Sequence, residues 1–176
     1  FRVHSAFGPG GQFALFEYGA ALPRAKLYPR WQVVTNDDQT VLQRLARAEF
    51  DPSREVLVSD PIPMLTGAGS ATNQASGTVS ITGYEPKHVT LKSDAATPTV
   101  LLLNDRYDPD WRVWVDGEPK PVLRCNYIMR GVQLPAGQHV IDFRYEPTAS
   151  TLYVSLAAIG VGLALCGILL FLNHKS

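Results

Sequence analysis

From Leu152 to Leu172 the chain reads LYVSLAAIGVGLALCGILLFL, with no charged side chain anywhere in the run. As a helix rising 1.5 Å per residue this stretch measures roughly 31 Å, the thickness of a bilayer's hydrocarbon core. A helix packed on a soluble domain would carry a polar stripe along its outer face, and none is visible here. Arg144 and Glu146 precede the run and Lys175 follows it. The pattern predicts a transmembrane helix over 152–172, with the lipid bilayer as partner. Lys175 and His174 on one side hardly differ in charge from Arg144 on the other, so the excess of Lys and Arg that marks a cytoplasmic flank does not orient the span.

Removing this segment leaves about 150 residues, room for one domain or two small ones. Lys plus Arg number 16 and Asp plus Glu number 16. With no net field to draw the chain to polyanions, nucleic acid is not an expected partner. The chain starts at Phe1 without an initiator Met or a charged-then-apolar leader. The expectation is a carboxy-terminal fragment whose upstream transmembrane helices deliver it to the membrane and pack against it. Cys125 lies in the domain and Cys166 in the apolar run. That placement argues against a disulfide and for two small buried hydrophobes.

Residues 1–65 read as an irregular lead-in followed by a small α/β unit. Pro23 and Pro29 keep Leu22 to Val34 extended. Asn36 or Asp37 can cap a helix over Gln39–Ala48, where Val41, Leu42, Leu45 and Ala48 recur at helical spacing. Asp51-Pro52 ends it, and Glu55 to Ser59 forms a strand. TGAGSATNQASGT, residues 66–78, holds too little apolar surface to offset the entropy of ordering and reads as a flexible linker or loop. Its glycines fit no phosphate-loop pattern. Residues 79–147 then give about seven short strands between turn signals, with Asp116-Gly117 as the best hairpin turn. The predicted class is α+β, mostly β. A strand-helix-strand unit precedes an antiparallel β-sandwich, Ig- or jelly-roll-like, and the transmembrane helix closes the chain.

No catalytic constellation is visible. His4, His88, His139 and His174 are scattered, and neither a zinc-ligand spacing nor a nucleophile elbow occurs. No catalytic residue, cofactor-binding residue or metal ligand is assigned. The densest acidic group is Asp105, Asp108, Asp110 and Asp116. These carboxylates can stabilise turns by accepting backbone N–H bonds, or hold calcium in a loop. In the sharper reading Tyr107, Asp108, Asp110 and Trp111 contact a saccharide, an aromatic face stacking on the ring while carboxylates accept from hydroxyls. Trp111 and Trp114 sit an odd number apart on one strand and must face opposite sides. Trp111, which opens the strand, leans toward the core. Arg24, Arg30, Arg124 and Arg130 can meet a phosphate bidentately or, more simply, bond turns at the surface. Gly160 and Ala164 form a small-residue pair suited to helix packing.

In order, these pieces resemble the carboxy-terminal region of YfhO-type bacterial membrane proteins. LPRAKLYPRWQVV, a helix and FDPSREVLVSD resemble that family's strand-helix-strand block. VSITGYEPKHVTLKSDA and LLLNDRYDPDWRVWVDGEPKPVLRCNYIMRGVQLPAGQHVIDFRYEP resemble its β-rich end. Members usually carry glycine where Asp110 stands, which sets this loop apart. The resemblance implies a polytopic GT-C-like glycosyltransferase relative acting in cell-envelope glycan or polymer glycosylation. Such a parent would use a polyprenyl-phosphate-linked sugar, with its catalytic carboxylates among spans outside this chain. This fragment would be the non-catalytic extracytoplasmic domain, in contact with cell-envelope glycan, its C-terminus cytoplasmic across the bacterial membrane. The alternative is a structural or adhesion module on a single span.

Overall fold

Alternating apolar residues broken by Pro, Gly and Asp set where the strands fall. The computed structural model describes residues 2–8, 10–19, 21–34, 37–63, 77–147 and 150–174, which form thirteen strands and two helices. The opening residues are not irregular as expected. β1 (Arg2–Gly8) and β2 (Gly11–Glu17) pair antiparallel as a hairpin from Arg2↔Glu17 to Gly8↔Gly11. Gly11, at φ 118°, takes the left-handed backbone that this turn requires.

Two larger sheets follow. One has five strands in the order β10–β9–β13–β7–β6, built from β6 (Thr78–Glu85), β7 (His88–Ala95), β9 (Trp111–Val115), β10 (Glu118–Lys120) and β13 (Gly137–Tyr145). The other has six, in the order β3–β8–β12–β11–β5–β4. Its members are β3 (Ala25–Tyr28), β4 (Trp31–Val33), β5 (Val56–Val58), β8 (Thr99–Arg106), β11 (Leu123–Cys125) and β12 (Met129–Leu134). Between the sheets, Val89, Leu91, Val113, Val115, Ile141 and Phe143 meet Leu27, Leu101, Leu103, Val132 and Leu134 in one buried cluster. That is the interior of a sandwich, with inward residues alternating against outward polar ones. β8 is apolar on both sides because a second cluster, Tyr28, Val56, Val58, Val100, Leu102, Leu123 and Cys125, covers its other face. Burial pushes the Cys125 thiol far above its usual range, and burial likewise lifts Tyr28 to about 12.

The expected division at residues 66–78 does not hold as a boundary between two packed units. β3 pairs with β8 and β5 pairs with β11, so one sheet takes strands from both sides of that segment. Residues 66–76 of the expected linker lie outside the described residues, while Thr78 already begins β6. The six-stranded sheet is also mixed rather than purely antiparallel, because β4 and β5 run parallel. Parallel neighbours need a crossover, and α1 (Asp38–Leu45) supplies it. Asp37 is the N-cap, accepting from Gln39 N at 3.1 Å and Thr40 N at 3.2 Å. Val41 packs on Val34 and Leu57 beneath the helix. Arg124 ties α1 to the sheet through Asp38 Oδ1 at 2.9 Å.

Asp116 (φ 54°) and Gly117 (φ 84°) form the β9–β10 turn, both in the left-handed region as a type I′ hairpin demands. Asp116 also accepts from Val140 N at 2.8 Å and from His139 Nδ1 at 2.6 Å. The hydrogen bond from His139, with that from Val140, holds its carboxyl below the ordinary range.

α2 (Ser150–His174) is a 25-residue helix. Its described apolar side chains are exposed, among them Val154, Leu156, Ile159, Val161, Leu163 and Leu165. Among the described residues no helix is long and apolar enough to cross a membrane. The structure therefore gives the expected helix but does not show the expected crossing over 152–172.

Candidate functional site

An arginine inside a sandwich needs a local reason. The β12–β8 register shifts between Met129 and Arg130, a bulge of the kind that re-aims a side chain. Arg130 ends 3% exposed. Its guanidinium lies 3.8 Å from the Trp111 ring centre and 5.7 Å from that of Phe143. It donates to Asp105 Oδ2 and to the Arg106 carbonyl, both at 2.9 Å. Arg24, arriving just before β3, reaches the other oxygen, Asp105 Oδ1, at 3.0 Å from Nε and 2.7 Å from its terminal nitrogen. Arg24 also bonds the Tyr84 hydroxyl and stacks on that ring at 4.1 Å. One carboxylate thus bridges two cations, and the three residues come from three separate segments.

The two arginines respond oppositely. The hydrogen bond that half-exposed Arg24 donates to Asp105 raises its pKa. Burial lowers that of Arg130, and attraction to Asp105 offsets it only in part. Arg130 Nε is buried with no hydrogen-bond partner among the described residues. Breaking such a buried pair by removing one member costs about 3–5 kcal/mol, because the survivor stays charged in low dielectric.

A cleft of about 420 Å³ opens over this cluster, lined by Tyr84, Glu85, Asp108, Trp111, Arg130 and Tyr145 among others. Trp111 and Tyr145 pack with ring centres 5.4 Å apart. Asp108 Oδ1 accepts from Asp110 N at 2.9 Å, and the Asp108 carbonyl accepts from Trp111 N at 3.1 Å. The Asp110 carbonyl in turn accepts from Glu146 N at 2.9 Å. The 107–111 loop is therefore bonded to the exit of β13, four residues before α2 begins.

Of the sequence-derived saccharide contacts, Trp111 is 8% exposed, and its ring meets Arg130 and Tyr145. It belongs to the core, the side toward which its place on the strand leaned, rather than to an outward platform. Tyr107 is half-buried, on a smaller hollow of about 180 Å³ shared with Pro109, Arg112 and Lys120. Asp108 and Asp110 shape the turn between them. Asp105 leaves the acidic group to become the bridge, and Asp116 stays with its hairpin. Trp114 faces the opposite side from Trp111, 5.0 Å beneath Arg144. Arg144 and His88 both bond Asp142. Burial there opposes ionisation, but the bonds from Arg144 and His88 outweigh it and lower the Asp142 pKa.

Sequence reasoning expected Arg130 at the surface. The one available signal was its place in MRGVQL, where alternate positions are otherwise core. The bridge with Arg24 had none, since those residues lie more than a hundred positions apart. Among the described residues no group of three or more His, Cys, Asp and Glu gathers to hold a metal.

The fold is a two-sheet sandwich with an internally braced arginine, followed along the chain by an apolar helix. Residues 68–157, just over half of the 176, match the family of the bacterial membrane protein YfhO. The chain belongs to that family. No curated protein and no solved structure matches it.

Proposed function

We propose that this chain is a non-catalytic, extracytoplasmic sandwich that braces the membrane part of a glycosyltransferase-like protein of the bacterial cell envelope. In this reading the charge-free run over 152–172 lies in the membrane, with the sandwich outside and the C-terminus in the cytoplasm. The charge-free sequence over 152–172 and the exposed apolar side chains of α2 support insertion. Upstream spans of the same protein would pack against it, and a polyprenyl-phosphate-linked sugar would be used there rather than here. The observation that carries the bracing role is the locked exit of β13. Tyr145 packs on Trp111 and Glu146 bonds Asp110, so the last strand is seated through Glu146, four residues before α2 begins. An adhesion module would need no such seat.

The test is a Gly-Gly-Ser insertion after Pro147 in the full-length protein. Glycosylation of envelope polymer should fall at least tenfold while a Gln138→Cys reporter is still labelled from outside intact cells. Unchanged glycosylation would overturn the bracing role. Labelling only after cell lysis would overturn the topology.

A further inference from the structure

A second cavity, of about 670 Å³, opens on the far strands of the six-stranded sheet, where the β3–β4 turn faces the loop between α1 and β5. Its lining includes Arg30, Trp31, Gln32, Asp51, Arg54 and Glu55. A neighbouring hollow of about 550 Å³ shares Gln32, Glu49 and Glu55 and adds Phe50. The two run together beside β4, the outermost strand of its sheet. We propose that this groove binds a neutral saccharide chain, with Trp31 as its stacking platform.

Shape comes first. Joined hollows along a sheet edge suit an extended ligand rather than a compact one, and each lies in the size range of ligand sites. Trp31 is half-buried and packs against the cluster of Tyr28, Val56 and Val58 while lining the cavity. A ring held by the core presents a flat apolar surface with little entropy left to lose. That suits the apolar face of a pyranose ring.

The polar groups select against charge. Across the two hollows four arginines stand against three carboxylates. A phosphate or a polyanion would meet the carboxylates, and a polycation the arginines. A polyol can use both, since guanidinium only donates, ionised carboxylate only accepts, and hydroxyls do each. Several of these side chains are already held in place. Gln32 Nε2 donates to Glu55 Oε2 at 2.5 Å across the parallel strand pair. Asp51 accepts from Ser53 N at 2.9 Å and Ser53 Oγ at 2.6 Å, and Arg54 sits 3.2 Å from it. Their position is thus set before a ligand arrives, which reduces the ordering cost of binding. This inference does not depend on whether α2 crosses a membrane.

The experiment titrates the intact chain in detergent with maltohexaose, chitohexaose and, separately, inorganic polyphosphate, followed by tryptophan fluorescence and calorimetry. At least one neutral hexasaccharide should bind saturably, with little dependence on salt. Trp31→Ala should weaken it at least tenfold, Trp31→Phe less, and Gln32→Ala severalfold, while Trp114→Phe leaves it unchanged. Trp31→Phe and Gln32→Ala keep the test open if Trp31→Ala does not fold. No saturable binding of either sugar would overturn the proposal. So would sugar binding indifferent to Trp31 and Gln32, or salt-sensitive binding of polyphosphate alone.

Discussion

Trp31 and Trp111 make a useful pair. Both open a strand, both follow a proline-containing turn, and both have arginines close by. Trp111 is buried, with Arg130 against its ring, Tyr145 beside it and Asp105 paired with the arginine. Trp31 is half-buried at an outer strand, and its arginines line an open groove instead of stacking on it. The difference is position in the sheet. Between the two layers an arginine must find a carboxylate or destabilise the core. At an edge, water solvates it, and the ring keeps a surface for something else.

The largest test of that contrast is Trp111→Ala. Losing a buried indole from the core should cost about 3–5 kcal/mol, read as a large fall in chemical-denaturation midpoint. A loss near zero would mean that Trp111 is not core at all. Next comes Asp105→Ala, which leaves Arg24 and Arg130 facing each other with no carboxylate between them. It should cost about 3 kcal/mol. Coupling Asp105→Ala with Arg130→Met should recover part of that loss, because no buried charge is then stranded. A double mutant as unstable as the sum of the singles would show that the bridge is not a unit. On the open side, Trp31→Ala should cost no more than about 2 kcal/mol, since only part of its surface leaves water on folding. A cost equal to that of Trp111 would erase the distinction between the two sites.

The smallest effect is acid. Asp51 beside Trp31 is held below the ordinary range by its bonds from Ser53, and Asp37, Asp116 and Asp142 are likewise lowered. A carboxylate with a depressed folded pKa stabilises the fold above its unfolded value, about 3.9. That contribution is lost as pH falls through the lower folded value. Melting temperature should therefore stay level from about pH 7 to 5 and decline only below about pH 4. Asp51→Asn should flatten part of that decline while leaving the Trp111 side untouched. A decline beginning near pH 6 would point to histidine instead.

Much was legible along the chain. The α2 helix followed from an uninterrupted apolar run, α1 from helical spacing after Asp37, and the β9–β10 hairpin from Asp116-Gly117. Each rests on contacts within a few residues, where backbone preference and periodicity decide. Alternation in WRVWV likewise set Trp111 and Trp114 on opposite faces. The β1–β2 hairpin was missed because FRVHSAFGPGGQFALFEYGA alternates weakly and its aromatics stand on both faces.

What the tertiary structure alone decided was partnership. Nothing local told that β3 would pair with β8 far along the chain, or that β4 and β5 would lie parallel. Nothing local told that Arg24, Asp105 and Arg130 would meet, or which side chains would close over Trp111 while Trp31 stayed open. Those outcomes depend on which strands become neighbours and which become edges. Periodicity records whether a residue faces in or out of its own strand; it does not record what stands on the other side. Burial against a partner far along the sequence then decides whether a charge is bridged or solvated, and whether an aromatic ring is core or surface.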